Sequence, residues 1–401
     1  MAVFEFSPLD VILASCGLPL FLFDIVLDIW AAVEFYKDGK YWCLAVLLLL
    51  LIGSSVLAQL FSWLWYSYDN FNLNTTVEKG VEPCLGVLHY VQLGIYVRHF
   101  AVVETAVKSW NGGSEPKDLA VSLNHDLSML RIIETFSESA PQIVLMLTVI
   151  LQEDRLDYTT VLKTIASLLA VAYCVTMYHR CMRSFLPEKK KQSIISSVVY
   201  FVWNLLLLWP RIVALALFAS VLPCFIVAHF LCSWLVLFFC AWRAKTDFMD
   251  STGGEQLFRA TLGLIWYFDW FNVGAGKTRK WTIAYHTYIL ADISLLCGLW
   301  FWRMSVDPPH SQISCFTASI IYGVVVLVYA VGLVCKVVYY LYFHPNVERK
   351  EDLKGEEDEL DSIVAQENGG FRSVVPQGHC NKRMQKLAQS FYVKPAAGVG
   401  A

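Results

Sequence analysis

With 57% of its 401 residues hydrophobic and only 16% charged, the chain is too apolar for a soluble domain, where roughly 45–50% and about 25% are usual. It reads as an integral membrane protein. A net charge of −3 is too small to argue for a nucleic-acid partner. The twelve cysteines are scattered, with no C-x-x-C pair and no histidine at zinc-ligand spacing, so no metal or cofactor is expected.

Apolar windows long enough to cross a bilayer predict helices over 10–33, 41–66, 84–107, 158–180, 194–221, 223–243, 281–303 and 315–342. Two other segments are too short or too interrupted to cross. Residues 125–151 begin with a polar half (His125, Asp126, Arg131, Glu134, Glu138) and break at Pro141. Residues 257–275 hold Asp269 and end in Gly274-Ala275-Gly276. Both read as re-entrant or partly inserted helices. The expected fold is all-α, with about eight transmembrane helices plus two re-entrant ones. A transmembrane domain spans 1–342, and a cytosolic regulatory tail spans 343–401.

Basic loops set the orientation. Arg180, Arg183 and Lys189-Lys190-Lys191 flank one connection, and Lys277, Arg279 and Lys280 another. Both are expected on the cytosolic side, which puts both termini there too. Spans two to four with the first dipping helix, and five to seven with the second, then share an order from opposite starting sides, the pattern of inverted repeats. On this topology Asn74-Thr75-Thr76, a glycosylation-like triplet, faces the cytosol and stays bare.

The most informative feature is charge inside the spans. Asp24 and Asp28 lie in the first, Arg98 in the third, Arg211 just after Trp209-Pro210, and Asp292 in the seventh. An ionised side chain at the bilayer centre costs roughly 2.5–3.5 kcal/mol, whereas each Leu, Ile, Phe or Val returns about 0.3–0.6. Such groups face a bundle interior or a wet pathway. Asp24 and Asp28 are four apart and share a helical face, as do Arg131, Glu134 and Glu138. As metal ligands the two aspartates would want further oxygen donors. As part of a hydrophilic track they need only water and counter-charges such as Arg98 or Arg211.

Nothing catalytic emerges. G-x-S-x-G and H-E-x-x-H are absent, and His89, His99, His125, His179, His229 and His286 are isolated, with no neighbouring Ser or Cys, so no enzyme is expected. Gly274-Ala275-Gly276-Lys277-Thr278 lacks the earlier glycine of a phosphate loop, having Phe271 at that position.

The tail turns acidic from Glu348 to Asp361, a solvated composition. Asp358-Glu359-Leu360-Asp361 followed by Ser362 matches an executioner-caspase site in accessible sequence. Asp247-Phe248-Met249-Asp250-Ser251 matches too, but in a short loop pinned between membrane segments. Beyond it, Met384, Leu387 and Phe391 recur at helical spacing beside Lys382, Arg383 and Lys386, a short basic amphipathic helix. Docked on the cytosolic face, it would hold the pathway shut until the tail is cut.

Several of these stretches carry a resemblance. "FDIVLDIWAAVEFY" (23–36), "LSMLRIIETFSESAPQ" (127–142), "YFVWNLLLLWPRIVALALF" (200–218) and "YFDWFNVGAGKTR" (267–279) are similar to the XK-related family over roughly residues 10–345. The resemblance implies eight spans and two partly inserted helices. It also implies a caspase-activated plasma-membrane phospholipid scramblase that exposes phosphatidylserine on dying cells without ATP. It implies association with a single-span immunoglobulin-type subunit (basigin or neuroplastin). Its hydrophilic lipid path carries over to Asp24, Asp28, Arg98, Glu134, Glu138 and Arg211. The competing expectations are an ion channel or solute transporter using the same charges, or an assembly subunit that transports nothing.

Overall fold

The computed structural model describes residues 8–110, 117–153, 158–184, 192–244, 246–271, 279–308, 314–343, 383, 384 and 386. The predicted break at Gly274–Gly276, the sequence 358–362, and tail positions Lys382, Leu387 and Phe391 fall outside these residues. The described chain forms thirteen α-helices and no strand. They are α1 (Pro8–Lys37), α2 (Tyr41–Tyr68), α3 (Thr76–Val81), α4 (Leu85–Tyr90), α5 (Gly94–Trp110), α6 (Lys117–Ser137), α7 (Ser139–Glu153), α8 (Tyr158–Ser184), α9 (Ile194–Val221), α10 (Pro223–Arg243), α11 (Thr252–Phe268), α12 (Arg279–Val306) and α13 (Cys315–Val338).

Seven of these, α1, α2, α8, α9, α10, α12 and α13, are long and apolar enough to cross a membrane. The chain is therefore an all-α multi-pass membrane protein. Helix α9 is the most buried of the seven and packs against α7, α8, α10, α12 and α13. Where α13 meets it, Gly332 brings the helices so close that a Cβ would lie 3.0 Å from the Leu206 carbonyl. Pro210, four residues on in α9, has no N–H to bond that carbonyl.

Hydrogen bonds fix the two ends of the bundle. At the near end Arg180 bonds Asp10 at 2.9 Å and the Gln192 carbonyl at 3.0 Å, and Gln192 donates to the Tyr339 hydroxyl. At the far end Lys40 bonds Glu153 at 2.7 Å and Gln152 donates to the Ser220 carbonyl. The described helices thus begin and finish at the near end.

These anchors reassign two predicted segments. The window 84–107 is not one span. A capping box between Thr75 and Glu78 starts α3, and Glu104 of α5 accepts from the Thr76 and Val77 amides at 2.9 Å. The tip between α4 and α5 lies midway along α2, where Ser55 donates to Gln92 at 2.8 Å. Segment α3–α5 therefore enters from the near end, turns at depth and returns. Gln92 takes φ +66° at that turn, and the buried His89 ring packs against Gly94, where a Cβ would sit 2.5 Å away.

Conversely, α6 and α7 run nearly end to end from the near end to the Lys40–Glu153 pair. They make an eighth passage in place of the expected dipping helix. Pro141 has no N–H to bond the Ser137 carbonyl, and the ladder resumes as Gln142 donates to the Glu138 carbonyl at 2.9 Å. The interruption falls at Glu138, three residues before the proline. Helix α11 matches the second expected dip, stopping where Tyr267 meets His229 of α10.

The expected inverted repeat is not what the chain forms. Outward α1, returning α2, dipping α3–α5, outward α6–α7 and returning α8 are followed by α9, α10, dipping α11, α12 and α13 in the same order. Both series start from the near end, which is the geometry of a parallel repeat about an axis along the bundle.

Gly94→Ala should cost about 1–3 kcal/mol by overpacking, because hydrogen bonds to Ser62 and the Leu85 carbonyl hold the His89 ring in place. A thermal-shift measurement on solubilised protein should show the loss. Gly17→Ala, where a Cβ meets nothing within 4 Å, should leave the midpoint within a degree or two.

Candidate functional site: a polar stripe beneath the first helix

Helix α6 carries Asp126, Arg131 and Glu134, and Glu138 follows at its break with α7; at 1.5 Å per residue the four extend over about 18 Å. Alternation with apolar Ile132, Ile133 and Phe136, all buried, keeps the helix within the bundle. Helix α1 lays Asp24 and Asp28 against the upper part of this row. Asp28 pairs with Lys163 of α8 at 2.7 Å, both nearly solvent-free. Arg131 pairs with Glu134 at 2.6 Å and lies 4.6 Å over the Phe21 ring. Ser54 of α2 donates to Glu138, and Ser139 to Asp24 at 3.4 Å. Carboxylate oxygens of Asp24, Asp28 and Glu138 all lie within 4.8 Å of one another.

Four carboxylates here (Asp24, Asp28, Glu134, Glu138) face two cations, Arg131 and Lys163. The third oxygen donor that a metal site would want beside the aspartates is supplied by Glu138. The counter-charges are Lys163 and Arg131 rather than Arg98 and Arg211. Lys163 was missed in the sequence although it lies inside the predicted span 158–180, where it is the same kind of signal as Asp24.

Arg98 sits lower on the same row. It donates to the Ser62 hydroxyl at 2.7 Å and the Ser62 carbonyl at 2.9 Å, stacks 4.0 Å over Tyr66, and reaches Asp126 at 3.5 Å. Towards the far end Lys163 and the Lys40–Glu153 pair line one cavity. Polar groups therefore follow one another from Asp126 to Lys40, beneath α1, a peripheral helix whose Phe23, Val26, Ile29 and Trp30 are exposed. Asp24 itself is half-buried.

Arg211 belongs elsewhere. It is fully buried among α9–α12, bonded to Asp292 at 2.5 Å and to the Tyr267 carbonyl at 3.0 Å. His229 closes the group through Asp292 at 3.1 Å and the Tyr267 hydroxyl at 2.9 Å. This is a separate, self-contained couple.

Of the described tail residues, Met384 is fully buried in the core of the bundle, and Arg383 and Lys386 meet its near end. Arg383, 2% exposed, bonds Asp69 at 2.7 Å and also Asp126, 5.0 Å over the Trp65 ring. Asp126 is thus shared by Arg98 and Arg383. Lys386 bonds Asp250 at 3.0 Å and the Met249 carbonyl at 3.2 Å. Partial burial opposes the Lys386 charge, but the Asp250 and Asp247 carboxylates outweigh it and raise its pKa. The loop carrying Asp247 and Asp250 is held by Glu255, which accepts from the Phe248 and Met249 amides and from Thr246.

On the other face of α7 an apolar cleft of about 560 Å³, half open to the surroundings, lies between α2, α7, α9, α10 and α11. The charged row, the apolar cleft and the tail contacts at the near end all lie within an all-α multi-pass membrane bundle.

The profile of the XK-related family (XK-related protein) matches residues 12–345. A protein named XK-related protein 8 from Tetraodon nigroviridis is 41% identical over 402 residues, 98% of each chain. Proteins of the same name from Gasterosteus aculeatus and Pan troglodytes are 37% and 38% identical, covering 97% and 96% of this chain and 98% and 94% of their own. The chain belongs to the XK-related family, as its motifs led one to expect.

Removing one member of the Arg211–Asp292 couple leaves a buried charge alone, which costs about 3–5 kcal/mol. Arg211→Met should therefore lower unfolding stability in detergent by that order. Adding Asp292→Leu should recover most of the loss in a double-mutant cycle.

Proposed function

We propose that the chain is an ATP-independent phospholipid scramblase of the plasma membrane, with both termini cytosolic. Headgroups slide along the stripe from Asp126 to Lys40 while acyl chains stay in the bilayer. Spontaneous flipping is slow because a charged headgroup must leave water. A row of carboxylates and cations replaces that hydration and lowers the barrier. The observation that supports this reading is the succession of charged groups from Asp126 to Lys40 beneath one peripheral helix, α1. The apolar cleft across α7 is suited to acyl chains. The family resemblance supports the same activity, with phosphatidylserine among the lipids and a single-span immunoglobulin-type subunit (basigin or neuroplastin) as partner.

The switch we infer is proteolytic. An executioner caspase cuts after Asp361, within Asp358-Glu359-Leu360-Asp361-Ser362. The segment carrying Lys382, Arg383, Lys386, Leu387 and Phe391 then loses its tether, Arg383 leaves Asp126, and the near mouth opens.

Asp361→Ala should abolish fluorescent-lipid uptake in apoptotic cells, and unchanged uptake would sink the switch. Arg383→Gln with Lys386→Gln should give exchange without cleavage, at a rate approaching that of protein ending at residue 361. A variant that stays silent until cleaved would show that these two contacts do not hold the mouth shut. In liposomes, steep dependence on membrane potential would favour an ion channel or solute transporter instead.

A further inference from the structure

Beside the far mouth of the stripe lies a second cavity, of about 480 Å³, between the ends of α1, α7 and α8. Its floor includes Lys163, the partner of Asp28. Among the described residues three bases (Lys37, Lys40, Lys163) and three acids (Glu34, Asp38, Glu153) line it, so its formal charge is zero although it is densely charged. Lys40 stands between Asp38 at 3.0 Å and Glu153 at 2.7 Å, and Lys37 is exposed nearby. Trp30 lines the same cavity, is 53% exposed, and is fixed by its indole N–H donating to Glu34 at 2.6 Å. A half-exposed indole beside a carboxylate is the arrangement that attracts an organic ammonium, and lysines a short distance away supply a phosphate contact.

We propose that this vestibule is a headgroup site for phospholipids that carry both a phosphate and a cationic amine, with the ammonium on Trp30 and Glu34 and the phosphate on Lys40 and Lys37. This rests on, and sharpens, the scramblase reading. Choline, ethanolamine and serine headgroups all present both charges, whereas phosphatidylglycerol presents only the phosphate and leaves Glu34 facing an uncharged alcohol. The vestibule thus favours zwitterionic lipids and phosphatidylserine over phosphatidylglycerol at the point of admission, although the stripe beyond it discriminates little.

The test is calorimetric binding to the full chain in detergent, using dihexanoyl-phosphatidylcholine, dihexanoyl-phosphatidylglycerol, phosphocholine and inorganic phosphate. The choline lipid should bind about tenfold tighter than the glycerol lipid, the order of one cation–π contact with its neighbouring charge. Trp30→Leu and Glu34→Gln should each erase that preference. Lys40→Gln should weaken both lipids alike, and Lys37→Gln, at an exposed position, reads the same phosphate contact if loss of the Lys40 pair prevents folding. Equal binding of the two lipids, or a preference that survives both Trp30→Leu and Glu34→Gln, overturns the proposal. Phosphocholine binding as tightly as the lipid would make this a soluble phosphoester site and also overturn it. Leaflet exchange is measured separately: selective binding without exchange removes the scramblase reading alone, and exchange without selectivity removes the vestibule alone.

Discussion

Everything in this bundle turns on how charge is neutralised away from water. A lone ion in a medium of low dielectric is too costly to keep, and an ion paired in good geometry is tolerated. Helix α6 answers that constraint along its length. Asp126 is met by Arg98 of α5 and by Arg383 of the tail, Glu134 by its own Arg131, and Glu138 by Ser54 of α2. Asp28 takes Lys163 from α8. Asp126 thus ties α5 and the tail to α6, Glu138 ties α2 to the end of that row, and Glu134 is satisfied within the helix itself.

The two halves of the parallel repeat use charge differently. In the second, Arg211, Asp292, His229 and Tyr267 close on one another among four helices, which fits a scaffold. In the first, carboxylates outnumber cations around Asp24, Asp28 and Glu138, and only the peripheral α1 separates them from the exposed surface. Imbalance near a surface favours water and mobile counter-charge, which is what a headgroup supplies in the proposed path. The tail meets this first half at its near end, with Arg383 on the same Asp126 that Arg98 uses.

Much of this was legible in the sequence. The cost of Asp24, Asp28, Glu134 and Glu138 in apolar surroundings marked the row, and the family motifs gave the class of fold. The number of crossings and dips was also readable, but their assignment was not. A hydropathy window measures apolarity over a length and is blind to a chain that turns back, so 84–107 read as a span although Gln92 reverses it at Ser55. The same window undervalued α6, because its polar face is offset by side chains from α1, α2, α5 and α8 that are distant in sequence. Taking Arg211 as a partner of Asp24 failed for a related reason: sequence fixes which residues are charged, and packing decides which of them meet.

Exchange of lipids between leaflets tests the central claim most directly. The chain ending at residue 361 can be reconstituted in liposomes bearing a fluorescent lipid, and bleaching of that lipid by an external reductant followed. If one continuous stripe carries headgroups, Asp24→Asn with Glu138→Gln should stop the fluorescence loss at the outer half, while Arg211→Met with Asp292→Leu, still folded, should let it run on. Unimpaired loss in the first variant, or arrest only in the second, would contradict a route beneath α1.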